Sequence, residues 1–189
     1  MASKRKEIRI DRLDIKFLAD ESPDSSYLGE YTSKRPDPYD LHAGNAIKRH
    51  QPGRGEHGYW IPAITADQHR KELNKKGYSK GVADYLARKY VNETYRRMEA
   101  LGEGHWSFIG CMAEAQVSYD VPQQRSRRIE HFSSAGLWGI ESDSDRGHFV
   151  EVSTEELADL HDHLAAFGVD LSNWSDLHAQ ALSNIGLAA

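Results

Sequence analysis

Residues 106–167 constrain the fold more than any other stretch of this chain. They hold two strand-like runs, WSFIGCMAEAQVSY and RIEHFSSAGLWGI, then an acidic turn, ESDSD, and a helix-like run, STEELADLHDHLAAF. In the first run Ile109, Cys111, Ala113 and the alternate residues after them are apolar, which is the period of two typical of a half-buried strand. We therefore predict a β-hairpin with a helix packed against one of its faces.

This helix is predicted from a capping motif and an apolar stripe. Ser153 and Glu156 match the S-x-x-E capping box, so we expect the helix to begin just after Ser153. The stripe follows helical spacing and should face the core. Its members are Leu157, Leu160, Leu164 and Phe167.

The chain before the hairpin divides into an irregular arm and a pair of helices. Residues 8–18 alternate as a strand does, whereas 40–58 are rich in glycine and basic side chains and predict a long surface loop. Thr65 and Ser79 can each begin a helix, which gives an αα-hairpin. We predict an α+β fold with an antiparallel sheet of about three to five strands, helices on one face and an irregular N-terminal arm. As a single domain, 1–189, it has three parts: 1–58 (strand plus long loops), 59–104 (αα-hairpin) and 105–189 (β-hairpin and C-terminal helices).

Charge is divided unevenly along the sequence. The net charge is −5, yet the segment from Glu141 onward holds ten acidic residues and one basic residue, Arg146, so residues 1–140 carry +4. An acidic surface can bind a basic protein surface by complementary charge, including one that normally holds nucleic acid. The acidic residues expected to bind a partner are Glu141, Asp143, Asp145, Glu155, Glu156, Asp159 and Asp162. Aromatic residues expected to be exposed beside them are Trp106, Phe108 and Trp138.

Direct binding of nucleic acid is the first alternative. It would use basic side chains of the 48–54 loop, of the αα-hairpin and of the β-hairpin tip, because such side chains neutralise phosphates. The candidates are Lys48, Arg49, Arg54, Lys75, Lys76, Arg125 and Arg127. Acidic residues interspersed along the same helices weaken the positive field there.

A metal-dependent hydrolase is the second alternative, and the sequence gives it little support. The ESDSD turn fails the EF-hand pattern, which needs glycine at loop position 6 and glutamate at position 12. A loop counted from Asp143 has Gly147 at position 5 and Thr154 at position 12. His161 and His163 point about 200° apart on a helix, so they cannot bind one ion together. Cys111, the one cysteine, lies in mid-strand and predicts a buried, inert thiol. We predict no catalytic residue, cofactor or metal site.

Composition indicates where such a chain would act. A single cysteine excludes an internal disulfide, and no apolar run approaches the roughly 18 residues of a membrane-spanning helix. The first residues, MASKRKEIRI, have no apolar signal-peptide core. We expect a cytoplasmic protein with no membrane association, and the oligomeric state stays open, a homodimer included.

The runs GLWGIESDSD, EELADL and AFGVD, with YLGEYT near the N-terminus, resemble a group of uncharacterised small proteins carried by phages, plasmids and their hosts. The resemblance covers residues 27–32 and 106–171 and brings no catalytic residue with it. It implies an accessory role, such as a non-enzymatic inhibitor of a host defence system. Its expected partner is a host protein complex that handles nucleic acid.

Overall fold

The longest strand of the protein, Phe108–Val121, pairs with three others in a computed structural model that describes residues 8–50, 57–121 and 126–186. In chain order the elements are β1 (Ile8–Ala19), β2 (Gly29–Thr32), α1 (Pro38–Ala43), β3 (Ile47–Lys48), β4 (Tyr59–Pro62), α2 (Ala66–Lys75), α3 (Lys80–Gly102), β5 (Phe108–Val121), β6 (Ser126–Ser133), β7 (Leu137–Glu141), α4 (Arg146–Ala166) and α5 (Trp174–Ser183). A short 3-10 turn, Asn184–Gly186, follows α5.

Tertiary contacts divide the chain into two compact units. Unit 1 joins Met1–Pro23 to Ser107–Ala189, and unit 2 is Asp24–Trp106. Unit 2 is therefore an insertion into the sequence of unit 1, between β1 and β5. The single domain expected from the sequence stays a prediction, and its last part, 105–189, begins close to the boundary at Ser107.

Unit 1 is built on a four-stranded antiparallel sheet with β5 in the middle. β1 pairs with β5 along its length, from Ile8 opposite Tyr119 to Ala19 opposite Ile109. On the other side of β5, β6 pairs with its second half and β7 with its first half. The run RIEHFSSAGLWGI, expected to be one strand, is therefore split into two.

Ser134 and Glu156 form hydrogen bonds that anchor the short segment between β6 and β7. The Ser134 N–H donates to the Ala113 carbonyl, and the Ala113 N–H donates to the Ser134 hydroxyl, both at 3.0 Å. The Gly136 N–H donates to Oε2 of Glu156, also at 3.0 Å. Side-chain oxygens of Ser134 and Glu156 thus accept two of the three hydrogen bonds at the gap between β6 and β7.

The core of unit 1 lies between one face of this sheet and helices α4 and α5. Leu157, Leu160 and Leu164 are fully buried, as predicted. Phe167, the fourth member of the expected stripe, is instead exposed at the end of α4, because it lies at the C-cap and not within the helix.

The predicted start of α4 is wrong. The helix begins at Arg146, and the Asp145 carboxylate caps it by accepting a hydrogen bond from the His148 N–H at 3.0 Å. Ser153 lies inside the helix and is buried. The physical reason is that Phe149 and Val152 pack into a cluster with Cys111, which extends the apolar face of the helix back to Phe149, ahead of Ser153.

Unit 2 places a three-stranded antiparallel sheet, in the order β2-β4-β3, against the α2–α3 hairpin. Trp60 of β4 is fully buried in its core, with apolar residues of both helices around it. The αα-hairpin is as predicted, and Thr65 with Gln68 forms a complete capping box at α2. The surface loop expected over 40–58 is wrong for its first part, because α1 and β3 extend into it.

Hydrogen bonds from Arg70 link α1 to the α2–α3 hairpin. The Arg70 guanidinium donates to the Asp84 carboxylate at 2.7 Å, to the Asp67 carboxylate and to the Ala43 carbonyl at the end of α1. Arg88 adds a hydrogen bond to the neighbouring carbonyl of His42 at 2.9 Å. Two cations thus satisfy carbonyl groups that the end of a helix leaves without partners.

The predicted fold class is confirmed: the protein is α+β, with antiparallel sheets of three and four strands and helices packed against them. Among the described residues, no helix is both long enough and apolar enough to cross a membrane.

Candidate functional site

Four carboxylates line the face of α4 that points away from the core. Glu151, Glu155, Asp159 and Asp162 are exposed and follow one another at intervals of four, four and three residues. At 3.6 residues per turn this spacing keeps them on one face, opposite the buried leucines. We call these four residues the α4 acidic stripe.

The stripe is not neutralised by lysine or arginine within the described part of the chain. The ion pairs found there are with histidine: His148 with Glu151 at 3.8 Å, and His161 with Asp162 at 3.1 Å. Like charges four residues apart destabilise a helix by about 0.2–0.5 kcal/mol per pair. Folding therefore gives no reason for this arrangement.

The other acidic residues nominated from the sequence have different surroundings. Glu156 is only 6% exposed and bonds to Gly136, so its nomination as a surface residue is wrong. Asp145 caps α4, Glu141 is half-buried at the end of β7, and Asp143 is exposed in the turn between them. The acidic turn is thus mainly a connection from strand to helix.

Two of the three nominated aromatic residues are not exposed. Trp106 and Phe108 are buried, so the expectation that they form an exposed end of the hairpin is wrong. The Trp106 indole N–H donates to the Arg97 carbonyl at 3.1 Å, and the Arg97 guanidinium lies 3.9 Å from the ring centre. Trp138 is 47% exposed and is the one nominated aromatic residue that reaches the surface.

The residues nominated for nucleic-acid binding are mostly engaged elsewhere. The Arg49 side chain is 13% exposed, lies 3.2 Å from Glu99 and stacks over the Tyr31 ring at 4.4 Å. Lys75 pairs with Glu72 at 2.7 Å. Arg127 bonds to Asp11 and to Ser118, each at 2.5 Å.

Lys48 and Lys76 are exposed and make no ion pair with any described residue. The two remaining candidates, Arg54 and Arg125, lie outside the described residues. Three of the five described candidates are thus paired with an acidic residue of their own unit.

No group of three or more His, Cys, Asp or Glu side chains able to hold a metal ion occurs in the described ranges 8–50, 57–121 and 126–186. The Cys111 thiol is buried, with its sulfur 3.5 Å from the Ser153 hydroxyl. Burial raises its pKa, which disfavours the reactive thiolate. The prediction of a buried cysteine is confirmed.

Charge also divides between the two units. Unit 1 holds 18 acidic and 10 basic residues, a formal charge of −8, and unit 2 holds 11 acidic and 14 basic residues, a charge of +3. The α4 acidic stripe therefore belongs to a unit that is negative as a whole, and the two values sum to the −5 of the chain.

The sequence prediction missed Glu151 as a member of the stripe, because it began the helix just after Ser153 and so left Glu151 outside it. The signal that could have found it is Asp145, an N-cap residue directly after the turn. Comparisons with protein-family models, with curated proteins and with solved structures return no match.

Proposed function

We propose that this protein acts by binding, without catalysis, and that the α4 acidic stripe contacts a basic surface of a protein that handles nucleic acid. The observation that carries the proposal is the set of four exposed carboxylates on one helix face with no lysine or arginine paired to them in the described chain. A role as an inhibitor carried by a phage or other mobile element, acting in the cytoplasm, belongs to the same proposal and rests on the sequence resemblance.

Electrostatics explains why such a surface suits such a partner. Proteins that hold nucleic acid present lysine and arginine to a row of phosphates, and much of their affinity comes from these contacts. A rigid helix that carries carboxylates at a regular spacing can occupy the same cations. Complementary charge of this kind accelerates association and makes binding sensitive to salt.

Matched charge variants test the proposal. One variant neutralises the stripe with Glu151→Gln, Glu155→Gln, Asp159→Asn and Asp162→Asn. Its control removes the same charge elsewhere with Glu93→Gln, Glu103→Gln, Asp120→Asn and Asp176→Asn, all at exposed positions. Both variants and the wild type are used to capture proteins from nuclease-treated host-like lysate at low and at high salt, with quantitative mass spectrometry as the readout.

The expected result is a nucleic-acid-handling protein that the wild type and the control capture at low salt and that the stripe variant loses. Titration calorimetry with that purified partner should then give a Kd that rises steeply with salt for the wild type. The proposal is wrong if the stripe variant captures the same proteins as the wild type with the same salt dependence. Co-purification of nucleic acid alone from lysate without nuclease would favour the nucleic-acid-binding alternative.

A further inference from the structure

The Trp138 side chain packs against two glycines, Gly110 and Gly136, on the sheet face opposite α4. A Cβ added to Gly110 would lie 2.3 Å from Cε3 of the indole, and one added to Gly136 would lie 3.1 Å from its Nε1. Gly110 faces away from the core because its neighbours Ile109 and Cys111 pack into it. The indole therefore rests directly on the backbone of the central strand.

The identity of Gly110 follows from the indole and not from the backbone. A glycine inside a strand weakens it, because it adds chain entropy and contributes no side chain to packing. Gly136 has φ +83°, a left-handed conformation that favours glycine in any case, whereas Gly110 has no such conformation. The position that a Cβ would need at Gly110 is instead filled by the ring of Trp138.

Packing against the two glycines fixes the position of the Trp138 ring, although the residue remains half exposed. Burying tryptophan is strongly favourable, so a fixed indole with 47% of its surface in solvent leaves unused binding surface. Leu18, opposite Gly110 in β1, is also exposed and continues the apolar surface. Trp is enriched among the residues that dominate binding energy at protein interfaces.

The Asp20 carboxylate lies beside the backbone that follows Trp138. Oδ2 of Asp20 accepts a hydrogen bond from the Gly139 N–H at 3.2 Å, one residue after Trp138, and its Oδ1 accepts one from Ser22 at 3.0 Å. Asp20 forms no ion pair with any lysine or arginine of the described chain. Unit 1 has a formal charge of −8, so the wider field around this ring is also negative.

An exposed aromatic residue with a carboxylate close to its backbone, in a negative field, fits a guanidinium group. The protein itself contains this combination in unit 2, where Arg49 stacks over Tyr31 and pairs with Glu99. Arginine, unlike lysine, can stack its plane on a ring while donating two hydrogen bonds to a carboxylate.

We propose that Trp138, with Leu18 and Asp20, is a docking site for an arginine side chain of a protein partner. The site is on the sheet face opposite the α4 acidic stripe, so it does not depend on the function proposed for that stripe. Gly110 acts as a positioning residue, because it keeps the ring where the guanidinium can stack.

The test uses the full chain labelled with 5-fluorotryptophan and two probes of equal charge, an (Arg-Gly)4 and a (Lys-Gly)4 peptide. The four tryptophans should give four fluorine resonances, and the Trp138→Phe variant assigns the one of interest. The stripe-neutralised variant is the background, which removes peptide binding to α4. We expect the arginine peptide to shift the Trp138 resonance and to bind about two- to fivefold more tightly than the lysine peptide.

Variants separate stacking from simple apolar contact. Trp138→Leu keeps an apolar side chain but removes the ring, and we expect about two- to fivefold weaker binding by fluorescence anisotropy, with Trp138→Phe in between. Gly110→Ala keeps the indole but displaces it and should weaken binding similarly, with circular dichroism as the check on folding. Asp20→Asn should weaken binding of the arginine peptide and lower its salt dependence.

Two outcomes would overturn this proposal. One is a Trp138 resonance that does not move during the titration with the arginine peptide. The other is a Trp138→Leu variant that folds and binds that peptide as tightly as its parent. Either outcome leaves the stripe proposal untouched, because the stripe is absent from the background used.

Discussion

At the residue scale, Glu156 shows how far the surroundings of a side chain decide its role. Glu155 and Glu156 are adjacent and chemically identical, yet one is exposed and the other is buried beneath the gap between β6 and β7. A buried acceptor matters because removing it leaves its donor without a partner. The same residue type thus stabilises the fold at position 156 and, at position 155, belongs to the surface proposed to contact a partner.

Glu156→Ala should therefore lower the free energy of unfolding by about 1–3 kcal/mol, since the Gly136 N–H loses its acceptor. Glu156→Gln keeps an oxygen acceptor and should be less damaging. Glu155→Ala, the exposed neighbour, should stay within about 0.5 kcal/mol of the wild type. Urea unfolding followed by circular dichroism measures all three, and equal losses for Glu155→Ala and Glu156→Ala would contradict the assigned hydrogen bond.

Cys111 gives a prediction about pH. Its pKa is raised in the folded state by burial, so the folded protein favours the neutral thiol. The stabilisation is complete below the unfolded pKa of about 8.5 and is lost as pH rises towards the folded value. We expect Cys111→Ala to reduce the decline of stability between pH 8 and 10. In the native wild type, Ellman's reagent should react far more slowly than after unfolding in urea.

At the element scale, α4 has two different faces. One contributes leucines to the core of unit 1, and the other carries the α4 acidic stripe. Its leucines were predictable from the sequence because three buried residues at helical spacing form a strong pattern. Its first turns were not, because the capping-box letters at Ser153 and Glu156 also suit a helix interior when both side chains find buried partners. A motif of four letters cannot distinguish these cases without the packing around it.

Leu160→Ala should destabilise the protein by about 2–5 kcal/mol, because it opens a cavity in a fully buried position. Leu160→Asp should prevent folding, since it would place a charge in the core. Asp162→Ala, on the opposite face, is the matched control and should change stability little. Thermal melting decides the matter, and a Leu160→Asp variant with wild-type stability would show that the face assignment is wrong.

Short elements were the second gap in the sequence prediction. α1 has six residues and β3 has two, which is too few for apolar periodicity to appear. Their stability comes from long-range contacts such as those of Arg70, which no local pattern encodes. Trp138 was nominated from the sequence as an exposed aromatic residue. Its packing on Gly110 and Gly136 was not predicted, because that contact depends on how the strands pair.

Arg70→Ala should loosen α1 without unfolding unit 2. The variant loses the hydrogen bonds to Asp67, Asp84 and the Ala43 carbonyl, whereas the helices keep their own core. Hydrogen exchange should quicken in residues 38–48 and change little in α3. The control is Lys71→Ala, at the next position, which is exposed. Equal exchange rates in residues 38–48 of both variants would contradict the role given to Arg70.

At the scale of the whole molecule, the inserted position of unit 2 is the main feature. The ends of the insertion meet in unit 1, where the Asp20 N–H donates to the Phe108 carbonyl at 3.0 Å. Within unit 1, the end of β1 and the start of β5 therefore lie side by side, as the two strands of a hairpin do. The sequence did not indicate this division, because the whole insertion separates β1 from its partner β5.

Deletion of residues 24–106 should leave a folded unit 1. It joins Pro23 to Ser107, so that four residues connect the paired Asp20 and Phe108, a common length for a hairpin loop. We expect cooperative thermal unfolding and a far-ultraviolet spectrum with both strand and helix. The same deletion combined with Leu160→Asp should be unfolded, and a deletion variant indistinguishable from it would show that unit 1 depends on unit 2.

The insertion also sets the order in which the protein can form during synthesis. β1 leaves the ribosome before its partner β5, which follows only after about 90 further residues. At roughly 5–20 residues per second, β1 spends about 5–20 s without the strand that pairs with it. Unit 2 is complete within that interval and can fold first. The alternating apolar face of β1 is meanwhile open to chaperones and to other nascent chains.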